Sequence, residues 1–424
     1  MKHLLRLALA SAWNRRATLG LTVMAIALSV TMLLGVERAR IAAREGFAQS
    51  VSGTDLVVGA RTSPVQLMLY AVFRLGEATN NVRWSSFEAV AANPAVAWAV
   101  PLSLGDSHRG FAVLGTSTSY FEHFRYGYRK PLAFSAGRAF SGTIDSVFEA
   151  VIGAEVAQSL GYGLGRRITL SHGAGGAGLP EHADKPFTVV GILAPTGTPV
   201  DRTVHISLQA IEAIHLDWQA GAPIAGFAIP AEYVRKFDLT PKTITAMLVG
   251  LKSRGAVFKV QRSVNEFAGE PLLAVLPGVA LDQLWQVVGV AERTLLAVSA
   301  MIVVVGLAGM VAVVLASLNE RRRELAILRS VGAGPRQIAT LLVTESVVMT
   351  FLGAALGILA LALVGLLAGP WIEATFSMAL KVWVGSAGEW ILLGYVMLAG
   401  VVAGGIPAWR ACRLALADGL TPKL

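Results

Sequence analysis

Four stretches of this chain run without a charge for long enough to cross a membrane, and the remaining residues divide around them. Ala17–Val36 holds 20 uncharged residues, Thr294–Leu318 holds 25, Ile338–Gly369 holds 32 interrupted only by Glu345, and Trp390–Trp409 holds 20. A helix rises about 1.5 Å per residue, so about 20 apolar residues span a hydrocarbon core about 30 Å thick. The windows predict membrane helices over 17–36, 294–318, 338–369 and 390–409. The first apolar core is longer than the 7 to 15 residues usual in a cleaved signal peptide, and it is read as a signal anchor.

No such window occurs over 37–293, where the pattern changes to short apolar runs broken by Gly, Pro and polar clusters. Asp55–Ala60, Trp98–Leu104, Thr243–Leu251 and Pro271–Leu276 read as strands, and Ser85–Ala92 and Ala256–Phe267 as helices. Two βαβ-like units therefore flank a centre rich in Gly and β-branched residues. At the other extreme, residues 3–16 (HLLRLALASAWNRR) set Leu4, Leu7, Leu9 and Trp13 against Arg6, Arg15 and Arg16, which suits an interfacial cytoplasmic helix over 1–16 or a plain basic flank.

Composition agrees with a membrane protein: 54% of residues are hydrophobic and 15% charged, against about 25% charged in soluble domains. The net charge of +9 suggests nucleic acid or an anionic membrane, and its distribution decides between them. Lys2, Arg6, Arg15 and Arg16 precede the first span, Arg321, Arg322, Arg323, Arg329 and Arg336 separate the second and third, and Arg410, Arg413 and Lys423 follow the fourth. The loop 370–389 has only Lys381. Basic residues flank cytoplasmic span ends, so both termini and the loop 319–337 are expected inside, with 37–293 and 370–389 outside. The inner segments then carry 12 basic and three acidic residues, and the outer ones 24 basic and 23 acidic. The charge reports topology and contact with anionic lipid. No basic tract interleaves with aromatics, so nucleic acid is not an expected partner. Cys412 is the only cysteine, which excludes a disulfide framework or a Cys-rich zinc site.

Gly353 with Gly357 and Gly400 with Gly404 have GxxxG spacing and suit close helix packing, within the chain or between copies. Glu345, about two turns into the third span, needs a polar partner, a cavity or the cytoplasmic interface. A proton relay would need further ionisable groups in the spans, so a structural or gating duty is the preferred reading. The loop 319–337, NERRRELAILRSVGAGPRQ, continues the second span as a helix with Leu325, Leu328 and Val331 on one stripe before Gly332, Gly334 and Pro335 break it. So short a stripe makes no core of its own. It suits a cytoplasmic partner, or else the loop is an ordinary basic one.

Catalytic chemistry finds little support. No GxxxxGK followed by Ser or Thr occurs, so no phosphate-cradling loop is present. The glycine runs 161–165 and 173–178 lack the strand-to-helix setting of a nucleotide site. No nucleophile-elbow spacing points to a hydrolase. His172, His182 and Asp184 form an open zinc site only if the glycine loop folds back; otherwise they are solvated.

The run from Glu320 to Ile338 resembles the signature loop of FtsX/MacB-type ABC transporter permeases. Leu341-Leu-Val-Thr-Glu345-Ser through Gly353 and Gly357 resembles that family's third span, and Ile406-Pro407-Ala-Trp-Arg410-Ala its usual exit. Leu21-Thr22 in the first span fits as well. Outside, Val113-Leu-Gly115-Thr, Tyr120-Phe121, Gly137-Arg138-x-Phe140, Val151-Ile-Gly153-Ala-Glu-Val-Ala157, Gly165-Arg-Arg-Ile168, Phe187-Thr-Val-Val-Gly191 and Gly197 with Asp201 look like the MacB-type periplasmic domain. The order and spacing of these motifs over nearly the whole chain make the resemblance specific. Asp55-Leu-Val-Val-Gly59-Ala-Arg-Thr-Ser-Pro64 is not a feature associated with macrolide-exporting members, so no substrate is carried over.

The resemblance implies four transmembrane α-helices and a large α+β periplasmic domain over 37–293, a porter-like βαβ lobe with an inserted mainly-β lobe at about 119–223. It implies an inner-membrane, multi-pass, dimeric permease of the type VII mechanotransmission class that is not itself an enzyme. The loop 319–337 would receive a cytoplasmic ABC ATPase, in two copies, that binds ATP and Mg, and 410–424 would form a cytoplasmic tail. Glu320, Arg321, Glu324, Leu325, Leu328, Arg329 and Gly332 would make the coupling surface. Residues 279–293 and 36–48 would continue the spans as stalks. Further partners would be a second permease chain and a periplasmic adaptor, binding protein or outer-membrane channel. The expected function is export or extraction of a substrate; the alternative is a mechanical regulator of a periplasmic enzyme or partner.

Overall fold

The computed structural model describes residues 16–173, 182–219, 222–224, 229–320, 326–327, 329–330, 332–376 and 385–413. The amphipathic stretch before Arg16 and the tail beyond Arg413 lie outside them. In chain order the principal elements are α1 (Arg16–Gln49), β1 (Leu56–Ala60), α2 (Pro64–Ala71), α3 (Trp84–Ala91), β2 (Val96–His108), β3 (Phe111–Thr116), β4 (Phe134–Gly137), β5 (Glu149–Ile152), α4 (Ala154–Leu160), β6 (Arg167–Ile168) and β7 (Ser171–His172). There follow β8 (Phe187–Leu193), β9 (Thr203–Ser207), α5 (Leu208–His215), β10 (Ala246–Leu251), α6 (Val257–Asn265), β11 (Leu272–Val275), α7 (Pro277–Glu320), α8 (Pro335–Phe376) and α9 (Ala387–Arg413). They form two compact units, one of Met1–Ala42, Gly289–Ile372 and Leu380–Leu424, the other of Ala43–Val288 and Glu373–Ala379.

In the second unit one sheet of 11 strands runs in the order β11-β1-β10-β2-β3-β9-β5-β8-β4, with β7 on β2 and β6 on β8. The first and last βαβ-like units interleave. Strand β10 lies antiparallel between β1 and β2, and β1 lies antiparallel between β10 and β11. This is the split βαβ arrangement, in which each unit's two parallel strands receive one strand of the other. The inserted region extends the same sheet, because β3 pairs with β2 on one side and with β9 on the other.

Alternate residues of the flanking strands enter two cores. Val57, Val100, Leu102 and Leu248 pack with Leu67, Met68 and Tyr70 of α2, whereas Leu56, Val58, Met247 and Val249 pack with Phe87 and Val90 of α3 and Val260 and Val264 of α6. Burial on both faces is why β1 and β10 read as unbroken apolar runs. A third core joins Val113, Ile152, Val189, Val204 and Ile206 to Val156 of α4 and Ala210, Ala213 and Ile214 of α5. Each fully buried aliphatic side chain contributes about 1.5–3 kcal/mol. A Val57→Asp change would leave a charge where both faces are dry.

The other unit holds four apolar helices of spanning length. α1, α7, α8 and α9 have 34, 44, 42 and 27 residues. Val303, Leu307, Met310, Val314 and Leu318 of α7 recur at three- and four-residue steps and pack on Ile26, Val30, Leu33 and Leu34 of α1, Leu342 and Met349 of α8 and Val396 of α9. The remaining faces expose Leu21, Met24, Leu28, Met301 and Val305. Helices apolar all round belong in lipid.

Candidate functional sites: the coupling loop, the helix contacts and a histidine cluster

α7 ends at Glu320, and Arg321, Glu324, Leu325 and Leu328 lie outside the described residues. Arg329 donates to the carbonyl of Cys412, 3.2 Å away, and so links the loop to the end of α9. The Gly332 amide bonds to the Arg329 carbonyl at 3.0 Å with φ +101, a left-handed conformation that disfavours any side chain. Gln337 Oε1 accepts from the Gly334 amide and opens α8. Ile327 is exposed in this loop. The stripe through Leu325 and Leu328 did not include it, since no spacing rule singles out an isolated apolar side chain.

Both GxxxG pairs meet neighbours inside the chain. A Cβ at Gly353 would lie 2.6 Å from Ile26 Cγ2, and one at Gly357 would lie 2.7 Å from the Ala27 carbonyl oxygen. On α9, Gly400 faces Thr350 and Gly404 faces Ser346. Thus α8 presents glycines to α1 and small hydroxylated residues to the glycines of α9. Thr31 Oγ1 donates to the Gly357 carbonyl at 3.1 Å, and Ser29 Oγ to the Ile302 carbonyl at 3.3 Å. Glu345 is half-buried.

One buried ion pair escapes sequence reading. Arg38 Nε donates to Glu389 Oε1 at 2.6 Å, with side-chain exposures of 8% and 4%. Glu389 also closes a capping box, since its Oε2 accepts from the Ser386 amide and its own amide donates to Ser386 Oγ. Each residue looks like an ordinary flanking charge in the sequence. Only the Ser386-x-x-Glu389 spacing signals part of the arrangement.

The residues expected as an open zinc site separate. Asp184 stays 46% exposed and pairs with Lys185 Nζ at 2.9 Å. His172 and His182 come together instead with Asp106 and His215, and the four ligand atoms all lie within 4.8 Å of one another. Local structure explains the grouping. β2 and β3 change register between Leu104 and Ser107, placing a bulge at Gly105–Asp106. Bulges re-aim side chains, and Asp106, Ser107 and His108 are consecutively buried. β7 pairs antiparallel with β2, setting His172 opposite Asp106. His215 ends α5, whose N-cap Ser207 accepts from the Ala210 amide. The amide of His182 donates to the Leu170 carbonyl.

Within the cluster, His172 Nδ1 is 3.2 Å from Asp106 Oδ1 and 3.2 Å from His215 Nε2, and His215 Nε2 is 3.7 Å from the same Asp106 oxygen. His215 Nδ1 lies 2.8 Å from the Ile211 carbonyl oxygen, so it carries the proton and leaves a lone pair on Nε2. The hydrogen bond to Asp106 raises the His172 pKa. Burial, then the charge of His215, pushes His182 down to about 4. Trp218 covers the group, its ring centroid 4.1 Å from that of His182. Beneath it, the buried Lys185 Nζ donates to both Asp217 oxygens at 2.7 Å, and Asp217 also accepts from the Ile229 amide.

Other exterior motifs have structural duties. Asp201 accepts from the Thr196 and Gly197 amides and from Thr196 Oγ1. Burial raises its pKa against those bonds. Gly153 abuts the Val200 and Asp201 carbonyls and leaves no space for a Cβ.

Known proteins resemble this chain along the same divisions. Residues 18–266 match the family described as MacB-like periplasmic core domain, and residues 296–416 match FtsX-like permease C-terminal. The macrolide export ATP-binding/permease protein MacB of Nitrobacter winogradskyi is 31% identical over 118 residues, which are 28% of this chain and 17% of that protein. The match thus spans less than a fifth of that relative's length. Among solved structures, the periplasmic region of MacB from Actinobacillus actinomycetemcomitans is 10% identical with a TM-score of 0.34, over 55% of this chain and 94% of that one. The extracellular domain of the noncanonic ABC-type transporter YknZ from Gram-positive bacteria is 13% identical with a TM-score of 0.30, over 52% and 99%. The family matches, the first of which covers more than half of the chain, carry the assignment together with the four apolar helices. This inner-membrane, multi-pass chain belongs to the FtsX/MacB-type ABC transporter permeases, with a MacB-like periplasmic core domain.

Proposed function

We propose that this chain is the permease subunit of a bacterial ABC transporter complex that couples ATP hydrolysis on a separate ATPase subunit to motion of its periplasmic domain, for export or extraction of a substrate. The length of α7 supports this reading. Its 44 residues correspond to about 66 Å of helix, about twice the hydrocarbon thickness, and α1 similarly continues to Gln49. An unbroken helix carries a displacement further than a flexible linker, as shear and hinge motions require.

ATP and Mg belong to the partner in this scheme, in keeping with the lack of a phosphate-cradling loop in these 424 residues. Glu320, Arg321, Glu324, Leu325, Leu328 and Arg329 form the ATPase-docking surface, and Gly332 permits the return into α8. The subunit works as a dimer with two ATPase copies, alongside a periplasmic adaptor, binding protein or outer-membrane channel. Glu345 and the four glycines maintain the helix contacts that transmit or gate the motion. Leu328→Glu is expected to abolish co-purification of the ATPase while membrane insertion persists. An unchanged yield of the complex overturns the docking assignment.

A further inference from the structure

We infer that the periplasmic domain binds one divalent cation of the zinc class through Asp106, His172, His182 and His215. The four residues come from separate places in the chain: a bulge in β2, the short strand β7, the segment before β8 and the end of α5. All four ligand atoms lie within 4.8 Å of one another, and three of them approach one another to 3.2, 3.2 and 3.7 Å. In a tetrahedral site with ligand bonds of about 2.0–2.1 Å, ligand atoms sit about 3.3–3.4 Å apart. The observed triangle is close to that edge length, and a His182 ring nitrogen lies within 4.8 Å of each of its corners.

His182 supplies an independent indication. It is fully buried, and among the described residues neither ring nitrogen has a hydrogen-bond partner. An unsatisfied buried polar group is costly, and a cation at the centre of the cluster would satisfy one nitrogen directly. The surroundings meet the other requirements of a metal centre. The Ile211 carbonyl fixes the His215 tautomer, as a backbone acceptor behind a ligating imidazole does. Lys185, the ammonium three residues from His182, is paired with both Asp217 and Asp184. Three imidazoles and one carboxylate suit zinc better than calcium or magnesium, which select all-oxygen sites. Four protein ligands fill the coordination shell, so the cation would join the segment before β8 to β2 and α5 as a structural or sensing clasp. It would not activate water.

Cobalt substitution of the full chain tests this. The protein is purified in detergent through a tag without histidine, stripped with chelator and titrated with Co²⁺. One equivalent per chain is expected to give the intense visible bands of tetrahedral cobalt, which Zn²⁺ then displaces. Ala at His182 or His215 should weaken Zn²⁺ binding by at least about 100-fold, since loss of a group that merely hydrogen-bonds a ligand costs about 10- to 100-fold. Asp184→Ala should bind as the unmodified chain does. His172→Cys keeps a ligand and should add a sulfur-to-cobalt charge-transfer band, which decides the matter if an alanine variant fails to fold. No cobalt band in the folded protein, or a band unchanged by His182→Ala with no new transition in His172→Cys, overturns the assignment.

Discussion

Glycine makes close contacts in both units, and the two sets of contacts work differently. In the periplasmic domain Gly59 leaves room for Leu67 and Tyr70, Gly115 for Ile211, and Gly250 for the Trp98 ring. The missing Cβ there lets a larger apolar side chain leave water, and that burial is what stabilises the domain. In the membrane unit, Gly353 and Gly357 admit α1, and Gly400 and Gly404 admit the Ser346 and Thr350 side of α8. Leaving lipid for a helix surface equally apolar gains little, so association rests on dispersion and on polar contacts such as Thr31 to Gly357 and Ser29 to Ile302. Buried charge follows the same division. The periplasmic domain encloses Lys185–Asp217 in a continuous core, whereas Arg38–Glu389 sits where α9 begins with its capping box. A core driven by burial tolerates loss of one apolar contact better than loss of one partner of a buried ion pair. A helix bundle held by a few close approaches is expected to yield at each of them.

The largest test of this contrast is Lys185→Met. It leaves Asp217 buried without its ammonium, and loss of one partner of a buried pair costs about 3–5 kcal/mol. Thermal unfolding of the periplasmic domain, followed through tryptophan emission, should shift down accordingly; an unchanged midpoint would show that Asp217 is served by water. Next, Gly357→Leu should cost about 1–3 kcal/mol by forcing α1 from α8. Gly369→Leu, where nothing among the described residues lies within 4 Å, should be near neutral. Equal effects on detergent stability would remove the distinction between contact and lipid-facing glycines.

A third measurement concerns acid. Burial, then the charge of Arg74, lowers His205 to about 3. The unfolded chain, with an ordinary value of 6.5, therefore binds the additional proton. The His205 contribution is intact above pH 6.5 and is lost as pH falls toward 3, by about 1.4 kcal/mol per pH unit. His205→Gln should flatten the stability profile of the periplasmic domain in that window, and an unchanged slope would assign the acid sensitivity to other groups. The smallest effect is expected on the surface. Arg262 of α6 and Glu266 at its C-cap, both exposed, form a pair worth about 0.3–0.5 kcal/mol. Arg262→Ala should barely move the midpoint, and a large loss would show that α6 depends on more than its buried face.

Much of this organisation was legible from the chain. Uninterrupted apolar windows identify membrane helices because lipid demands internally satisfied backbone over a set length. Leu56–Ala60 and Ala246–Leu251 were readable as strands because burial on both faces leaves a dense β-branched and aliphatic run. What the windows did not show is where helices continue. α8 passes Gly369 and Pro370 to Phe376, since one proline removes one hydrogen bond without ending a helix of 42 residues.

The histidine cluster shows the boundary between local and tertiary information. His172 and His182 were visible as candidates because they are near one another in sequence, and Asp184 was joined to them for the same reason. The structure turns Asp184 to Lys185 and supplies Asp106, 66 residues before His172, and His215, 43 residues after it. The interleaving of β1, β10 and β11, the pairing of GxxxG faces within the chain and the meeting of Arg38 with Glu389 have the same character. Composition, periodicity and charge asymmetry are local quantities, and they determined the spans and their expected orientation, while short motifs in order carried the resemblance to the family. Which strand lies beside which, and which distant carboxylate completes a group of imidazoles, was decided only when a sheet register and a helix contact brought residues of remote sequence into the same few ångströms.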